Sequence, residues 1–353
     1  MRRRLTILSV AFPFAPVSAA AVGGAEQVLS MLDAALTRAG HRSIVLACAG
    51  SSVTGELLAV PAVRGTIDPA ARAEVHSALR GAMARVLAER RIDLIHLHGV
   101  DFADYLPPPG PPALATLHLP PEWYPAAALH PARPGTFLNA VSDGQNRALR
   151  AFADARAVLH PVPNGVAVAA LGAARHGRRR FALMLGRLCP EKGQHLGLEA
   201  ACRAGLKLLI AGAAFPYPAH QDYVRREIIP RLGAGRLLGP VGFARKRRLL
   251  AAARCLLVPS LAPETSSLVA MEAAACGTPV IAFPVGALPE IVEDGVTGFL
   301  VHDVDAMASA IGRAGEIDPE ACRRVARTRF SEQAMTDAYL RLYERLAPAP
   351  VSA

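Results

Sequence analysis

Apolar residues along this chain fall into short unbroken runs, separated by stretches in which they return every three or four positions. Unbroken runs of that length read as buried strands, and the three-to-four spacing reads as helices with one face inward. The runs predict strands over 5–11, 43–47, 94–97, 113–118, 137–141 and 158–161, then over 181–185, 207–211, 237–238, 255–259, 280–282 and 299–301. Between them the spacing predicts helices near 25–39, 69–91, 143–151, 192–204, 219–232, 244–253, 267–276, 304–313 and 319–328. A last helix over 331–346 opens on Ser331 as N-cap, with Met335, Tyr339, Leu342 and Leu346 on one face. Strand–helix alternation with doubly buried strands is the signature of parallel α/β structure.

The alternation runs through the chain twice. Its break falls at Pro161-Val-Pro-Asn-Gly165, where an Asn-Gly turn pair follows two stiffening prolines. We therefore expect an N-terminal Rossmann-like domain over 1–163 and a second over 166–330. Open α/β sheets bind ligands at the carboxyl ends of their strands, so two facing each other would share a central cleft.

Length and composition narrow the reading without deciding it. The 353 residues suffice for two domains, 52% are hydrophobic, and there is no low-complexity tract. The net charge is +10, and only three of the 39 basic residues are lysines: Lys192, Lys207 and Lys246. The densest basic clusters, 175–180 and 245–248, are not interleaved with aromatics, which argues against a single-strand nucleic-acid groove. A general surface excess of charge is the reading preferred over a dedicated patch. The six cysteines form no CxxC pair and mostly sit in apolar runs, so buried thiols in a reducing compartment are expected. The N-terminus imitates a secretory signal, but Pro13 and Pro16 interrupt its apolar part, and the reading adopted is a first buried strand.

The candidate chemistry lies at strand ends. Glu264 precedes the helix expected over 267–276 and Glu272 stands eight positions later, on that helix. Ser266, Ser267 and Leu268, followed by Val269, make the helix's first turn over the first three of these, and its free N–H groups and positive dipole end suit an anion. A sugar, a phosphate and a ribose would fit in that order along such a stretch, as in a nucleotide sugar. Arg187 and Lys192 lie on the loop after 181–185, a fork and a point charge suited to a diphosphate whose charge grows as it leaves. Each of these also reads as an ordinary surface residue when taken singly. Gly23 and Gly24 start the first long helix, where they would allow a phosphate to approach the backbone or would simply make a turn. His118 ends a strand ahead of a Pro-rich loop that carries Trp123, the chain's one tryptophan. His96 and His98 share a strand face, but no third ligand is evident and no metal is assigned.

These residues, assembled, resemble the retaining GT-B glycosyltransferases, in particular family 4 (group 1). The resemblance is carried by Gly186-Arg-Leu-x-x-Glu-Lys-Gly193, Glu264-x7-Glu272, Ala275-Cys-Gly-Thr-Pro-Val-Ile and Leu288-Pro-Glu-Ile-Val-x-Asp-Gly-x-Thr-Gly298. Gly23-Gly-Ala-Glu26, Asp93-Leu-Ile-His-Leu-His98, Thr116-Leu-His118 and Pro163-Asn-Gly-Val166 extend it more thinly. It implies an acceptor-binding N-terminal domain, a donor-binding C-terminal domain, and a last helix returning to the first. Arg187 and Lys192 would grip the diphosphate, Glu272 the ribose, Glu264 and His118 the donor sugar, and Val241 would lie by the base. Gly24 would approach the phosphate. It further implies metal-independent transfer of a hexose-type sugar from a UDP or GDP donor to a hydroxyl acceptor, by same-face attack without a protein nucleophile. The acceptor implied would be a glycan, a lipid-linked molecule or a small molecule, with its identity left open. A cytoplasmic location is expected, with peripheral contact at the inner membrane face left open, and no nucleic-acid partner. Relatives carry glycines where Thr265-Ser266-Ser267 stands here, so sugar choice is most exposed to that change. A nucleotide-sugar epimerase on the same fold, and a non-catalytic basic binding protein, remain as alternatives.

Overall fold

The computed structural model describes residues 3–348 except 64, 175, 178 and 179, so most of the basic cluster at 175–180 lies outside the described residues. Contacts divide the chain into two compact units. One runs to Pro163 and takes the chain up again at Met335; the other is Asn164–Ala334.

The first unit holds strands β1 (Thr6–Val10), β2 (Arg42–Cys48), β3 (Glu56–Val60), β4 (Leu94–Leu97), β5 (Ala113–Thr116) and β6 (Thr136–Asn139). They form one sheet in the order β3-β2-β1-β4-β5-β6, and every pairing is parallel. Helices α1 (Gly24–Arg38), α2 (Pro69–Glu89), α3 (Ala126–Leu129) and α4 (Asp143–Phe152) connect them. The N-terminal apolar stretch is thus an inner strand, β1, with Ile7, Leu8 and Val10 fully buried. Two helices start on side-chain caps: Asp68 accepts from Ala71 N at 2.8 Å, and Ser142 accepts from Gln145 N at 3.1 Å.

The edge strand β3 was not expected from the sequence. Its segment, ELLAV, is half-exposed along most of its length and gives no strong apolar run. Asp33, buried in α1, holds the turn ahead of it: its carboxylate accepts from Ser43 Oγ at 2.6 Å and from Thr54 N at 2.6 Å. The expected strand over 158–161 reduces to a single bridge between Leu138 and Val158.

The second unit contains α5 (Val168–Gly172), β7 (Phe181–Leu185), α6 (Gln194–Arg203), β8 (Lys207–Ala211), α7 (Pro218–Tyr223) and β9 (Arg236–Leu237). It continues through α8 (Phe243–Ala252), β10 (Cys255–Val258), α9 (Leu268–Cys276), β11 (Val280–Ala282), α10 (Leu288–Ile291), β12 (Gly298–Leu300), α11 (Val304–Arg313) and α12 (Pro319–Arg329). Its sheet, also parallel, has the order β12-β11-β10-β7-β8-β9. The single helix expected over 219–232 is instead α7 followed by a π segment (Val224–Ile228) and a 3-10 turn (Ile229–Arg231). Pro230 explains the change: it has no N–H to donate and its ring crowds the preceding turn, so the α ladder cannot run through it.

Helix α13 (Glu332–Leu346) starts where Ser331 Oγ accepts from Ala334 N at 3.4 Å. Its buried face carries two tyrosines onto the first sheet. Tyr343 OH lies 2.7 Å from His96 Nδ1 on β4, while Asn139 Nδ2 on β6 donates to Tyr339 OH at 3.0 Å. Five of the six cysteines are buried. Among the described residues, no helix is long and apolar enough to cross a membrane.

Candidate functional site

The site in the second unit is built from loops at the carboxyl ends of neighbouring strands. After β7 the chain turns at Gly186 with φ +126°, and after β8 at Gly212 with φ +150°. A Cβ on Gly212 would stand 1.7 Å from the Gly186 carbonyl oxygen, so glycine is what lets these two loops run against each other. Arg187 follows, its guanidinium 5.5 Å from the centroid of the Phe215 ring on the β8 loop. Gln194 Nε2 donates to the Arg187 carbonyl at 2.7 Å and fixes the loop from the start of α6.

Lys192 closes a 3-10 turn and is followed by Gly193 at φ +62°. A Cβ on Gly193 would meet the Pro259 carbonyl oxygen at 2.1 Å, and Leu261 N donates to the Glu191 carbonyl at 2.8 Å. The β7 loop is therefore docked on the loop after β10. That docking puts Lys192 Nζ 2.6 Å from Glu264 Oε1, and Ser260 Oγ donates to the same oxygen. The Glu264 carboxylate is nearly buried, whereas the lysine side chain keeps 30% of its exposure. Ala287 N donates to the Glu264 carbonyl at 2.6 Å, which holds the backbone at this point to the turn after β11.

Thr265, Ser266 and Ser267 carry the chain into α9, with Ser267 at the N-cap position. Ser267 makes no side-chain cap bond, and Ser266 Oγ is buried with no hydrogen-bond partner among the described residues. Leu268 and Val269 form the first turn, where N–H groups have no carbonyl one turn back to bond. A buried orphan hydroxyl beside open amides is an arrangement that an oxygen-rich anion or sugar would satisfy.

In the second turn of α9, Glu272 is buried and ion-paired through Oε1 with Lys246 of α8, while Oε2 has no hydrogen-bond partner among the described residues. Burial pushes the Glu272 carboxyl upward in pKa, and the Lys246 ammonium opposes the shift. Lys246 was not singled out in the sequence. A signal was present, because two of the only three lysines in an arginine-rich chain pair with the two glutamates of the Glu264-x7-Glu272 stretch. Val241 is half-buried on the loop between β9 and α8.

The remaining expected residues belong to the first unit. Gly23 is the N-cap of α1 and Gly24 its first residue; a Cβ at Gly23 would meet the Glu26 carboxylate at 1.9 Å. His118 lies two residues beyond the end of β5 rather than within a strand. Its Nε2 is 3.0 Å from His98 Nδ1, their rings stack at 5.3 Å, and Tyr124 OH accepts from His118 N at 3.0 Å. Desolvation lowers the His118 pKa to about 4, so the ring is neutral at physiological pH. His96 and His98 do face the same way, their rings 4.0 Å apart. The His96 nitrogens are taken up by Tyr343 OH and Thr116 Oγ1, each at 2.7 Å, which gives that ring a structural role. Trp123 is 42% exposed on the Pro-rich loop.

Two six-stranded parallel sheets, with ligand-competent loops at the strand ends, define a GT-B protein, and structural comparison gives the same class. Over 97% of this chain and 98% of the other, the fold superposes with TM-score 0.68 on AviGT4, a glycosyltransferase involved in avilamycin A biosynthesis, at 25% identity. Sucrose-phosphate synthase from Thermosynechococcus elongatus gives 0.77 at 20% identity, over 97% of this chain and 99% of the other. Alr3699/HepE of Anabaena, solved in complex with UDP-glucose, gives 0.73 at 21% identity, over 97% and 100% of the two chains.

The family assignment is equally direct. Residues 22–170 match the model of Glycosyltransferase Family 4, and residues 179–316 that of Glycosyl transferases group 1. The chain belongs to this family. D-inositol 3-phosphate glycosyltransferase of Mycobacterium tuberculosis is 35% identical over a 206-residue alignment that covers 53% of this chain and 41% of the relative. The match therefore spans less than half the length of that curated relative.

Proposed function

We propose that this protein is a retaining glycosyltransferase that moves a hexose-type sugar from a nucleotide-diphosphate sugar to a hydroxyl acceptor, with no metal in the transfer step. The observation that carries the reading is the docked pair Lys192–Glu264 at the entrance to α9, with Arg187 on the same loop as the lysine. It sets two cations beside a carboxylate and a helix N-terminus, which matches the charge order of a sugar diphosphate.

In this reading Arg187 and Lys192 bind the diphosphate, and amides of Ser266 to Val269 receive a phosphate or sugar oxygen. Glu264 accepts from sugar hydroxyls. Glu272 Oε2 accepts from a ribose hydroxyl, while Lys246 favours the charged form of the carboxylate. Gly24 lies against a phosphate, Val241 lies by the base, and His118, as a neutral imidazole, bonds a sugar hydroxyl. Attack comes from the face that the phosphate leaves. The acceptor oxygen bonds to the anomeric carbon, the carbon–phosphate oxygen bond breaks, and the acceptor's proton passes to the departing phosphate oxygen. Charge growing on that oxygen is stabilised by Arg187 and Lys192 more strongly than in the ground state, and this difference lowers the barrier.

The relative solved with UDP-glucose makes that compound the first donor to try. The test is nucleotide release from a panel of UDP- and GDP-sugars, with and without glycan, lipid-linked and small hydroxyl acceptors. Release that depends on one donor and on Lys192 supports the reading. A folded protein that neither binds nor turns over any member of the panel contradicts it.

A further inference from the structure

The loop that carries Arg187 and Lys192 also carries Cys189 and Glu191, and both of these turn toward His220 at the third position of α7. One ligand atom from each of Cys189, Glu191 and His220 lies within 4.8 Å of the others. The meeting follows from the fold. Cys189 and Glu191 follow β7, His220 follows the adjacent parallel strand β8, and the glycine contact between Gly186 and Gly212 brings the two loops together. Leu188 N also donates to the Ala213 carbonyl at 3.0 Å.

The cluster is largely buried, with Glu191 half-buried, and it is incompletely bonded. Cys189 is fully buried and His220 is only 8% exposed. Among the described residues, two of its polar atoms, Glu191 Oε2 and His220 Nδ1, are buried without a hydrogen-bond partner. Such atoms are costly to leave unsatisfied, and two of them facing a thiol in one small space call for a common partner. Among the described residues, the Cys189 thiol otherwise has a long contact of 3.9 Å to the Arg187 carbonyl and the neighbouring Glu191 carboxylate.

We propose that Cys189, Glu191 and His220 form a binding site for a thiophilic divalent cation, with Zn²⁺ as the best fit. The ligand set decides the metal: one thiolate, one imidazole nitrogen and one carboxylate oxygen suit zinc, whereas calcium and magnesium take oxygen ligands alone. Binding displaces the Cys189 proton to solvent, leaving thiolate and carboxylate to balance the two positive charges. A water completes four-coordination. Arg187 and Lys192 lie on the same loop and repel the cation, so affinity is moderate rather than that of an all-cysteine site. Occupancy ties the β7 loop to the β8 loop. The proposal is independent of the transfer reading, because the site is defined by metal binding and not by turnover.

The test is titration of the reduced full chain, stripped with chelator, with Co²⁺ as a spectroscopic stand-in, followed by Zn²⁺. One equivalent of cobalt is expected to give a thiolate-to-metal charge-transfer band together with the intense visible bands of a four-coordinate ion, and zinc is expected to abolish both. Cys189→Ser removes the charge-transfer band and His220→Ala weakens binding, whereas Cys202→Ser, at the exposed cysteine, changes neither. Thiol alkylation mapped by mass spectrometry provides a variant-free check, with Zn²⁺ slowing modification at Cys189. The proposal is overturned if folded protein gives no charge-transfer band, if the band survives Cys189→Ser, or if zinc protects another cysteine and not Cys189.

Discussion

Lys192 Nζ and Glu264 Oε1 lie 2.6 Å apart although 72 residues separate them in sequence. The pair exists because Gly193 lets the β7 loop press on Pro259, and because Ser260 and the turn at Ala287 fix the carboxylate and its backbone. A lysine at that point can exchange the carboxylate for a phosphate without moving its backbone. Removing the ammonium by Lys192→Ala is expected to lower kcat by about 10²–10³-fold, as for loss of one transition-state donor. The fold should survive, because Ser260 still donates to Glu264. Glu264→Ala should lower kcat to a similar extent. Steady-state kinetics alongside circular dichroism check both, and full activity in either variant removes the assigned roles.

Gly193 and Gly205 offer a controlled comparison, since both have φ +62°. A Cβ at Gly193 meets Pro259 at 2.1 Å, whereas one at Gly205 meets nothing within 4 Å. Gly205→Ala should cost about 1–2 kcal/mol, the price of a left-handed residue. Gly193→Ala should cost more and should also lower kcat, because the loop must lift off Pro259 and displace Lys192. Denaturant unfolding and kinetics on the two variants separate strain from positioning.

Lys246 and Glu272 form the second lysine–glutamate pair, and this one is buried. Lys246→Met leaves a carboxylate in the interior with no counter-ion, at a cost of about 3–5 kcal/mol. The Glu272 pKa, already raised by burial, rises further. A raised carboxyl pKa means that the folded state binds the proton more tightly than the unfolded chain does. Its contribution to stability is therefore present below about 4.5 and is lost as pH rises through the folded value. The variant should show a steeper loss over that window than the parent. At neutral pH it should also bind UDP more weakly, as should Glu272→Ala, by calorimetry with UDP and GDP.

His118 gives the opposite sign. Burial depresses its pKa to about 4, so the unfolded chain binds the proton more tightly, and stability falls as pH drops from about 6.5 toward 4. His96 and His98 are depressed in the same way. His118→Gln should flatten, without abolishing, the acid-side slope of unfolding free energy. An imidazole NMR titration of the parent should show His118 unprotonated at pH 5.

The strands that read correctly from sequence to the residue, at 94–97, 181–185, 207–211 and 280–282, are those whose side chains are mostly buried on both sheet faces. β3 escaped because an edge strand buries little, and what fixes it is a tertiary contact from Asp33. The helical spacing over 219–232 continues through Pro230, whose missing N–H breaks the α ladder that the spacing alone implies. Glu264, Lys192 and Arg187 were legible as a set because the residue types at strand ends already spell out a charge pattern. Their hydrogen bonds were not. The pairing of Glu272 with Lys246 depends on how α8 packs on α9, and the meeting of His220 with Cys189 depends on which strands are neighbours. No local pattern encodes either.

The central claim is sugar transfer from a nucleotide donor with retention at the anomeric carbon. The most direct test is a single reaction with the donor that gives nucleotide release, in which the product's anomeric configuration is read by NMR before it can equilibrate. A product with the donor's own configuration is expected, formed about 10²–10³-fold more slowly by Lys192→Ala than by the parent chain. An inverted product, or undiminished transfer by Lys192→Ala, would contradict it.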